Sequence, residues 1–280
     1  MNLYAISDLH LANRVNCQSL EALPPHPSDW LILAGDVGEL DEHLKFALFI
    51  LTRRFKKVIW VPGNHDLWTL PAHPSRLRGD ERYRHQVSIC REYNVLTPED
   101  PYVLWYDTQE NREYLIVPMF LLYDYSFRPD YISSEKAVDW AAESGVVCTD
   151  EDLLHPTPFE SPVEWCAERC RYTEERLKDL PPEVSLILVN HFPLRENMAF
   201  LPRFPRFSLW CGTKNTENWH TRFPVSVVVY GHMHMRGTQY HDGVRFEEVS
   251  FGYPRDWNPS RSMDYYLRKI LPLNKALNKD

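Results

Sequence analysis

Five short apolar runs in this chain each lead into an aspartate, an asparagine or a histidine, and that pattern restricts the fold more than any other feature. The runs belong to a set at residues 3–7, 30–34, 58–61, 114–118, 186–190, 225–230 and 244–250. All are bounded by Gly, Pro, Asn or Asp and have the length of buried strands. Helical periodicity lies between them. Residues 39–54 place Leu40, Leu44, Ala47, Leu48 and Leu51 on one face, and residues 81–93 and 162–180 read similarly. Strand and helix alternate early, and strands crowd the C-terminal third. The expectation is an α/β chain with one sheet or a pair of sheets flanked by helices.

The 280 residues suffice for a sizeable core. Residues 1–280 read as a single domain, with the aromatic, poorly periodic stretch at about 119–160 as an insertion on it. The segment after Trp257 is expected to hold a short closing helix.

The blocks that follow the runs carry the chemistry, at strand C-termini where open α/β sheets place their ligands. In Ser7-Asp8-Leu9-His10, Asp8 and His10 are two apart, so an extended backbone would project both from one face. In Ala34-Gly35-Asp36-Val37-Gly38-Glu39, an acid follows an apolar run directly. A helix N-cap or a bridging metal ligand would each explain it. In Val61-Pro62-Gly63-Asn64-His65-Asp66, Asn64 offers a neutral carbonyl oxygen, and His65 stands one residue beyond it, free for proton work. Asn190-His191 and Gly231-His232-Met233-His234 complete the set. Asp8, His10, Asp36, Asn64, His191, His232 and His234 make seven oxygen and nitrogen donors with no thiolate. That is too many for one tetrahedral ion. It suits two ions about 3.5–4 Å apart sharing a carboxylate, with Mn, Fe, Zn, Co or Ni favoured over Mg alone or Ca.

Composition removes other classes. The formal net charge of −8 argues against a general nucleic-acid binder. No run approaches the ~20 apolar residues of a spanning helix. A signal peptide is not expected either, because its cleavage would remove the first run and its block. The scattered cysteines Cys17, Cys90, Cys148, Cys166, Cys170 and Cys211 suit reduced thiols in a cytoplasm. His26, His43, His73, His85, His155, His220 and His241 read as surface or packing residues.

Taken in order, Asp-x-His, Gly-Asp, Gly-Asn-His-Asp, a single His and Gly-His-x-His resemble the calcineurin-like metallophosphoesterase signature, spanning residues 8 to 234. The resemblance implies a four-layer αββα sandwich of two mixed sheets. It implies Asp8, His10, Asp36 and His234 on one metal and Asp36, Asn64, His191 and His232 on the other. Asp36 then bridges two divalent ions, with Mn and Fe the leading candidates. His65 corresponds to the histidine that protonates the leaving group or steadies the developing charge, and a metal-bridging hydroxide is the implied nucleophile. The phrases Val117-Pro118-Met119-Phe120, Ser208-Leu209-Trp210-Cys211-Gly212-Thr213 and Val244-Arg245-Phe246-Glu247-Glu248 are similar to phosphopantetheinyl hydrolases. This likeness implies a phosphodiesterase that removes the phosphopantetheine arm from acyl carrier protein.

Substrate selection is expected outside the metal blocks. Residues 195–214 hold four basic residues and one acid, a local excess of cations in an acidic chain. Arg203, Arg206, Phe207 and Trp210 are the substrate-binding candidates there, and an acidic carrier protein would be drawn to such a patch. A Pro-stiffened lid packing its rings on the core is the plainer alternative. A phosphatase or nucleotide phosphodiesterase stays open, and a non-catalytic scaffold is disfavoured because all seven donors and His65 are present.

Overall fold

The computed structural model describes residues 1–71 and 75–272, so His73 and the last eight residues of the chain lie outside the described residues. Two mixed sheets form its centre. The smaller has the order β10-β1-β2-β3, from β1 (Leu3–Ile6), β2 (His26–Ala34), β3 (Phe55–Val61) and β10 (Arg268–Leu271). The larger has the order β4-β5-β6-β7-β9-β8. Its strands are β4 (Val103–Asp107), β5 (Arg112–Pro118), β6 (Ser185–Val189), β7 (Val225–Tyr230), β8 (Gly237–His241) and β9 (Val244–Glu248). The small sheet is parallel except at β10, and the large sheet is parallel inside with both edge strands antiparallel.

The alternation of side chains explains why the runs are apolar throughout. Ala5, Ile32, Ala34, Ile59 and Val61 of the small sheet meet Ile116, Ile187, Val189, Val227 and Val229 of the large one in a core between the sheets. Their neighbours Ile6, Leu31, Leu33, Val58, Leu186, Leu188 and Val228 point the other way, into a second core beneath the helices. Strands covered on both faces lose the polar alternation of half-exposed ones. Helix α2 (Asp41–Arg54) packs on β2 and β3, with α1 (Arg14–Glu21) and α4 (Gly79–Glu92) against it; α7 (Pro162–Lys178) brings Trp165 against Phe120 and Arg169 over the Tyr83 ring of α4. This is the expected four-layer arrangement. Helix α7 starts where sequence predicts, because the Ser161 hydroxyl accepts from the Glu164 N–H and Pro162 occupies the first turn.

Residues 119–160 pack inward. Met119, Phe120, Leu121, Leu122, Tyr123 and Phe127 are all buried against the α7 side of the core. The stretch then forms α5 (Ala137–Ala142) and α6 (Asp150–Leu153) before α7. After Trp257 the expected helix forms at Met263–Tyr266, and a strand follows that the sequence reading missed: β10 pairs with β1, Leu3 opposite Leu271. Among the described residues, no helix is long and apolar enough to cross a membrane.

Candidate metal centre

The loops after β1, β2, β3, β6 and β7 converge at one end of the two sheets and bring all seven predicted donors to a single cleft. Asp8 follows β1, Asp36 follows β2, and Asn64 opens the short helix α3 (Asn64–Leu67) after β3. His191 follows β6, and His232 and His234 follow β7. The pairs Asp8/His10 and His232/His234 do converge, but not by the strand geometry expected of them. All four residues have positive φ, at 55°, 43°, 69° and 51° respectively, so the chain curls at each pair instead of running extended. Left-handed backbone at a non-glycine residue costs energy and is kept where the surroundings enforce it. Hydrogen bonds from Asp8 N–H to the Gly35 carbonyl and from His10 N–H to the Asp36 carbonyl hold the first curl. Two glycines are required by close approach. A Cβ at Gly35, where φ is +89°, would stand 2.6 Å from His191 Nδ1. A Cβ at Gly231 would collide with the Ser7 hydroxyl and the Asp8 carboxylate.

Two clusters of donor atoms share the cleft. In one, Asp8 Oδ1 lies 3.2 Å from His234 Nε2 and 3.8 Å from His10 Nε2, and the two imidazole nitrogens are 3.2 Å apart. In the other, Asp36 Oδ2 lies 3.4 Å from His191 Nε2, with His232 alongside. Asp36 also faces His10 and His65, so it stands between the clusters. Such separations are those of neighbouring ligands around an ion with bonds of about 2.0–2.2 Å. The α2 helix begins at Asp41 with Leu40 as its cap, which removes the helix-cap explanation of Asp36.

The donors fit divalent cations by their own hydrogen bonding. Asn64 Oδ1, His191 Nε2 and His232 Nε2 are buried without a hydrogen-bond partner, and such groups are costly unless something else satisfies them. The far side of each ring is fixed. His191 Nδ1 is 2.9 Å from the Ala34 carbonyl, which can only accept, so Nδ1 keeps its proton and Nε2 is the nitrogen left toward Asp36. His234 Nδ1 is held in the same way by Asp256 Oδ2 at 2.9 Å. Asn64 donates from Nδ2 to Asp150 Oδ1 at 2.9 Å, which turns its carbonyl oxygen inward.

Electrostatics match. Burial pushes the His191 imidazole down, but the Asp36 and Asp8 carboxylates outweigh it and hold the group up at about 10. Burial opposes His234 too, and its hydrogen bond to Asp8 raises it to about 9. Burial prevails at His10 and His232, lowered to about 4 and about 3. Burial also works against ionised Asp36, yet His191 and His65 keep its carboxyl well below the usual range. Without cations, protons on His191 and His234 balance the buried carboxylates. Metal uptake would displace them.

His65 sits at the edge of the centre. Its Nδ1 is 3.0 Å from Glu39 Oε1 and its Nε2 faces Asp36 Oδ2 at 3.9 Å. Burial lowers its basicity, but Asp36 and Glu39 together raise it above the ordinary value. Asp66 organises the backbone beneath: its carboxylate accepts from the N–H groups of Gly63, Asp36 and Val37 at 2.8, 2.8 and 3.1 Å.

The cleft has a volume of about 370 Å³. Its apolar lining is Trp68, Val147, Leu201, Phe204, Phe207 and Met233, and the exposed Arg255 also borders it. The substrate candidates divide. Phe207 lines the cleft, its ring nearly parallel to His232 at 5.9 Å. Trp210 does not; it is fully buried and donates from Nε1 to Glu151 at 2.6 Å. Arg206 lies over the Trp140 ring, 3.3 Å from Glu143, away from the cleft. Arg203 is exposed and is not among the cleft residues. The expected basic patch is largely neutralised, since Lys214 meets Asp130 at 3.0 Å and Arg195 meets Glu217 and Asp242 at 3.2 Å each. Of the histidines read as packing, His220 is buried against Asp242 at 2.8 Å. Sequence reasoning missed Glu39 as the partner of His65, and Asp150, Tyr253 and Asp256 entirely. Each acts through a long-range contact with no local motif.

Residues 1–236 match the calcineurin-like phosphoesterase family, and the chain belongs to it. Within that family it is similar to the acyl-carrier-protein phosphodiesterase PptH of Mycobacterium tuberculosis, with 48% identity over 272 residues, covering 96% of this chain and 83% of the relative. The crystal structure of that phosphopantetheinyl hydrolase superposes with a TM-score of 0.90 over 97% of this chain and 96% of the other. A dimetal phosphatase from Danio rerio, 12% identical with a TM-score of 0.51, covers 93% of this chain and 90% of its own and shares the fold.

Proposed function

We propose that this chain is a two-metal phosphodiesterase that releases the phosphopantetheine arm from a holo-acyl carrier protein. The observation that carries the reading is 48% identity across 96% of the chain to a phosphodiesterase of that kind, joined to a cleft with seven inward donors. Asp8, His10, Asp36 and His234 would hold one cation and Asp36, Asn64, His191 and His232 the other. When bound, the pair supplies Lewis acidity toward phosphoryl oxygens and lowers the pKa of coordinated water toward about 7. Donors of carboxylate, imidazole and amide type without thiolate suit Mn or Fe, and Zn, Co or Ni would also be accepted.

His65 is the proton donor in this reading. Glu39, an acceptor, fixes its Nδ1–H and leaves Nε2 toward the cleft. Asp36 and Glu39 raise its basicity, the direction a proton donor to the leaving oxygen requires. Val147, Leu201, Phe204 and Phe207 offer the uncharged, extended part of the arm an apolar surface, and the exposed Arg255 offers a carrier a cation. We read residues 1–280 as one phosphoesterase domain, with residues 119–160 inserted to shape that surface through Val147 and to brace Asn64 through Asp150. The six cysteines are all free, which suits a cytoplasmic enzyme.

The test is incubation of the Mn-loaded chain with holo-acyl carrier protein, read by intact mass. The expected result is conversion to the apo-carrier with release of phosphopantetheine. Turnover of small diesters with the holo-carrier left intact would overturn the substrate assignment.

A further inference from the structure

Three donors of one cluster, Asp8, His10 and His234, are gripped by a single stretch of chain, residues 250–256. The Ser250 hydroxyl donates to Asp8 Oδ2 at 2.7 Å. That oxygen also receives the Ser7 hydroxyl at 2.5 Å and the His232 N–H at 3.1 Å, so Oδ1 alone is left for the cleft. The Tyr253 ring stacks on His10 at 4.2 Å with an interplanar angle of 11°. Asp256 Oδ2 takes the Nδ1–H of His234 at 2.9 Å. The stretch is itself anchored, because Phe251 N–H and Gly252 N–H donate to the carbonyls of Ser7 and Asp8, and Asn16 Nδ2 ties the Gly252 and Leu9 carbonyls together. It lies beyond residue 236, where the family match ends.

The second cluster is braced from elsewhere. Asn64 is turned by Asp150 of the 119–160 stretch, and His191 by the Ala34 carbonyl. The second position therefore draws its own bracing from other parts of the chain, and the two are joined at Asp36 and by the His232 N–H on Asp8 Oδ2.

We infer that residues 250–256 form a clamp dedicated to the Asp8/His10/His234 position, with Ser250 and Asp256 as its positioning residues, and that this position can be emptied while the other stays filled. A group that orients a ligating histidine typically contributes 10- to 100-fold in metal affinity, so weakening the clamp would act on one ion of the pair. The inference rests on the two-cation reading above.

The experiment compares the wild-type chain with Asp256→Ala, each loaded with Mn(II) and dialysed against a weak chelator. Metal per chain is measured by elemental analysis, and electron paramagnetic resonance separates a spin-coupled Mn pair from an isolated ion. The expected result is two coupled ions in the wild type and one isolated ion in the variant, with the fold intact by circular dichroism. Should Asp256→Ala fail to fold, Ser250→Ala answers the same question and leaves the backbone anchors of the stretch in place. Two coupled ions in the variant, or loss of both together, would overturn the clamp. A single ion in the wild type would instead overturn the two-cation reading.

Discussion

Glu39 Oε1 lies 3.0 Å from Nδ1 of His65, on the side of the ring away from the Asp36 carboxylate. The contact fixes which nitrogen faces the cleft and, with Asp36, raises the basicity of the imidazole above its ordinary value. If the imidazole's proton goes to the leaving oxygen, its importance should grow with the basicity of the leaving group. His65→Ala should therefore lower kcat by about 10²–10⁴-fold on an alkyl phosphodiester such as holo-carrier protein, and by less on bis(p-nitrophenyl) phosphate, whose phenolate departs unaided. Glu39→Gln should give a smaller loss with the same bias. Equal losses on both substrates would argue that His65 is not the acid.

Asp36 stands between the two donor clusters, grouped with His10 and His65 on one side and with His191 and His232 on the other. Asp36→Asn should abolish diester turnover and reduce bound metal below two ions per chain by elemental analysis. Unchanged turnover in the purified variant would sink the bridging role.

The pH behaviour follows from His191 and His234, raised to about 10 and about 9 in the cation-free chain. Groups raised on folding contribute stability that is complete below the unfolded value of about 6.5 and is lost as pH rises through the folded value. Cation-free chain should thus lose this contribution between about pH 6.5 and 10, while the same deprotonation frees ligand nitrogens and strengthens metal binding. The gap in Tm between Mn-loaded and chelator-treated protein should widen from pH 6.5 to 8.5. A gap that narrows over that window would contradict the assignment.

Asp150 accepts from both Asn64 Nδ2, at 2.9 Å, and Trp68 Nε1, at 2.7 Å. Asp150→Ala leaves the buried Asn64 amide without its acceptor, at a cost of about 1–3 kcal/mol, and frees the half-buried Trp68 Nε1–H. It should lower the denaturation midpoint, and it should weaken the position that Asn64 serves. Wild-type stability together with wild-type metal content would remove Asp150 from the support of the centre.

Phe207 and Arg255 line the cleft, whereas Arg206 is engaged by Trp140 and Glu143. Phe207→Ala and Arg255→Glu should raise KM for holo-carrier protein several-fold more than for a small chromogenic diester. Arg206→Glu should affect both alike, through local packing. The reverse ranking would return the docking role to the 195–214 patch.

The strands buried on both faces were legible because their apolar runs have no other use, and the register of 225–230 is reproduced as β7. The missed strands have weaker signals. In β4, Leu104 and Tyr106 point outward and are exposed; β8 is mostly polar; and β10 buries only its second half. Helix α1 was missed because its buried residues are Asn16 and Leu20 alone. The metal donors were legible because a histidine or acid after a buried run needs a partner. Their supports were not: Asp150 reaches Asn64 across 86 residues and Asp256 reaches His234 across 22, and neither spacing has a local meaning. The cations of 195–214 misled for the same reason, since the acids that neutralise them lie far away in the chain.

The hydroxyl of Ser250 and the carboxylate of Asp8 touch across 242 positions of the polymer. A nascent chain emerging from the ribosome can build α2 and its neighbours early, but this contact must wait for the far end to arrive. Loop closure over such a span favours slow, late assembly. Half-made copies would lack both the Ser250 contact to Asp8 and the Asp256 contact to His234.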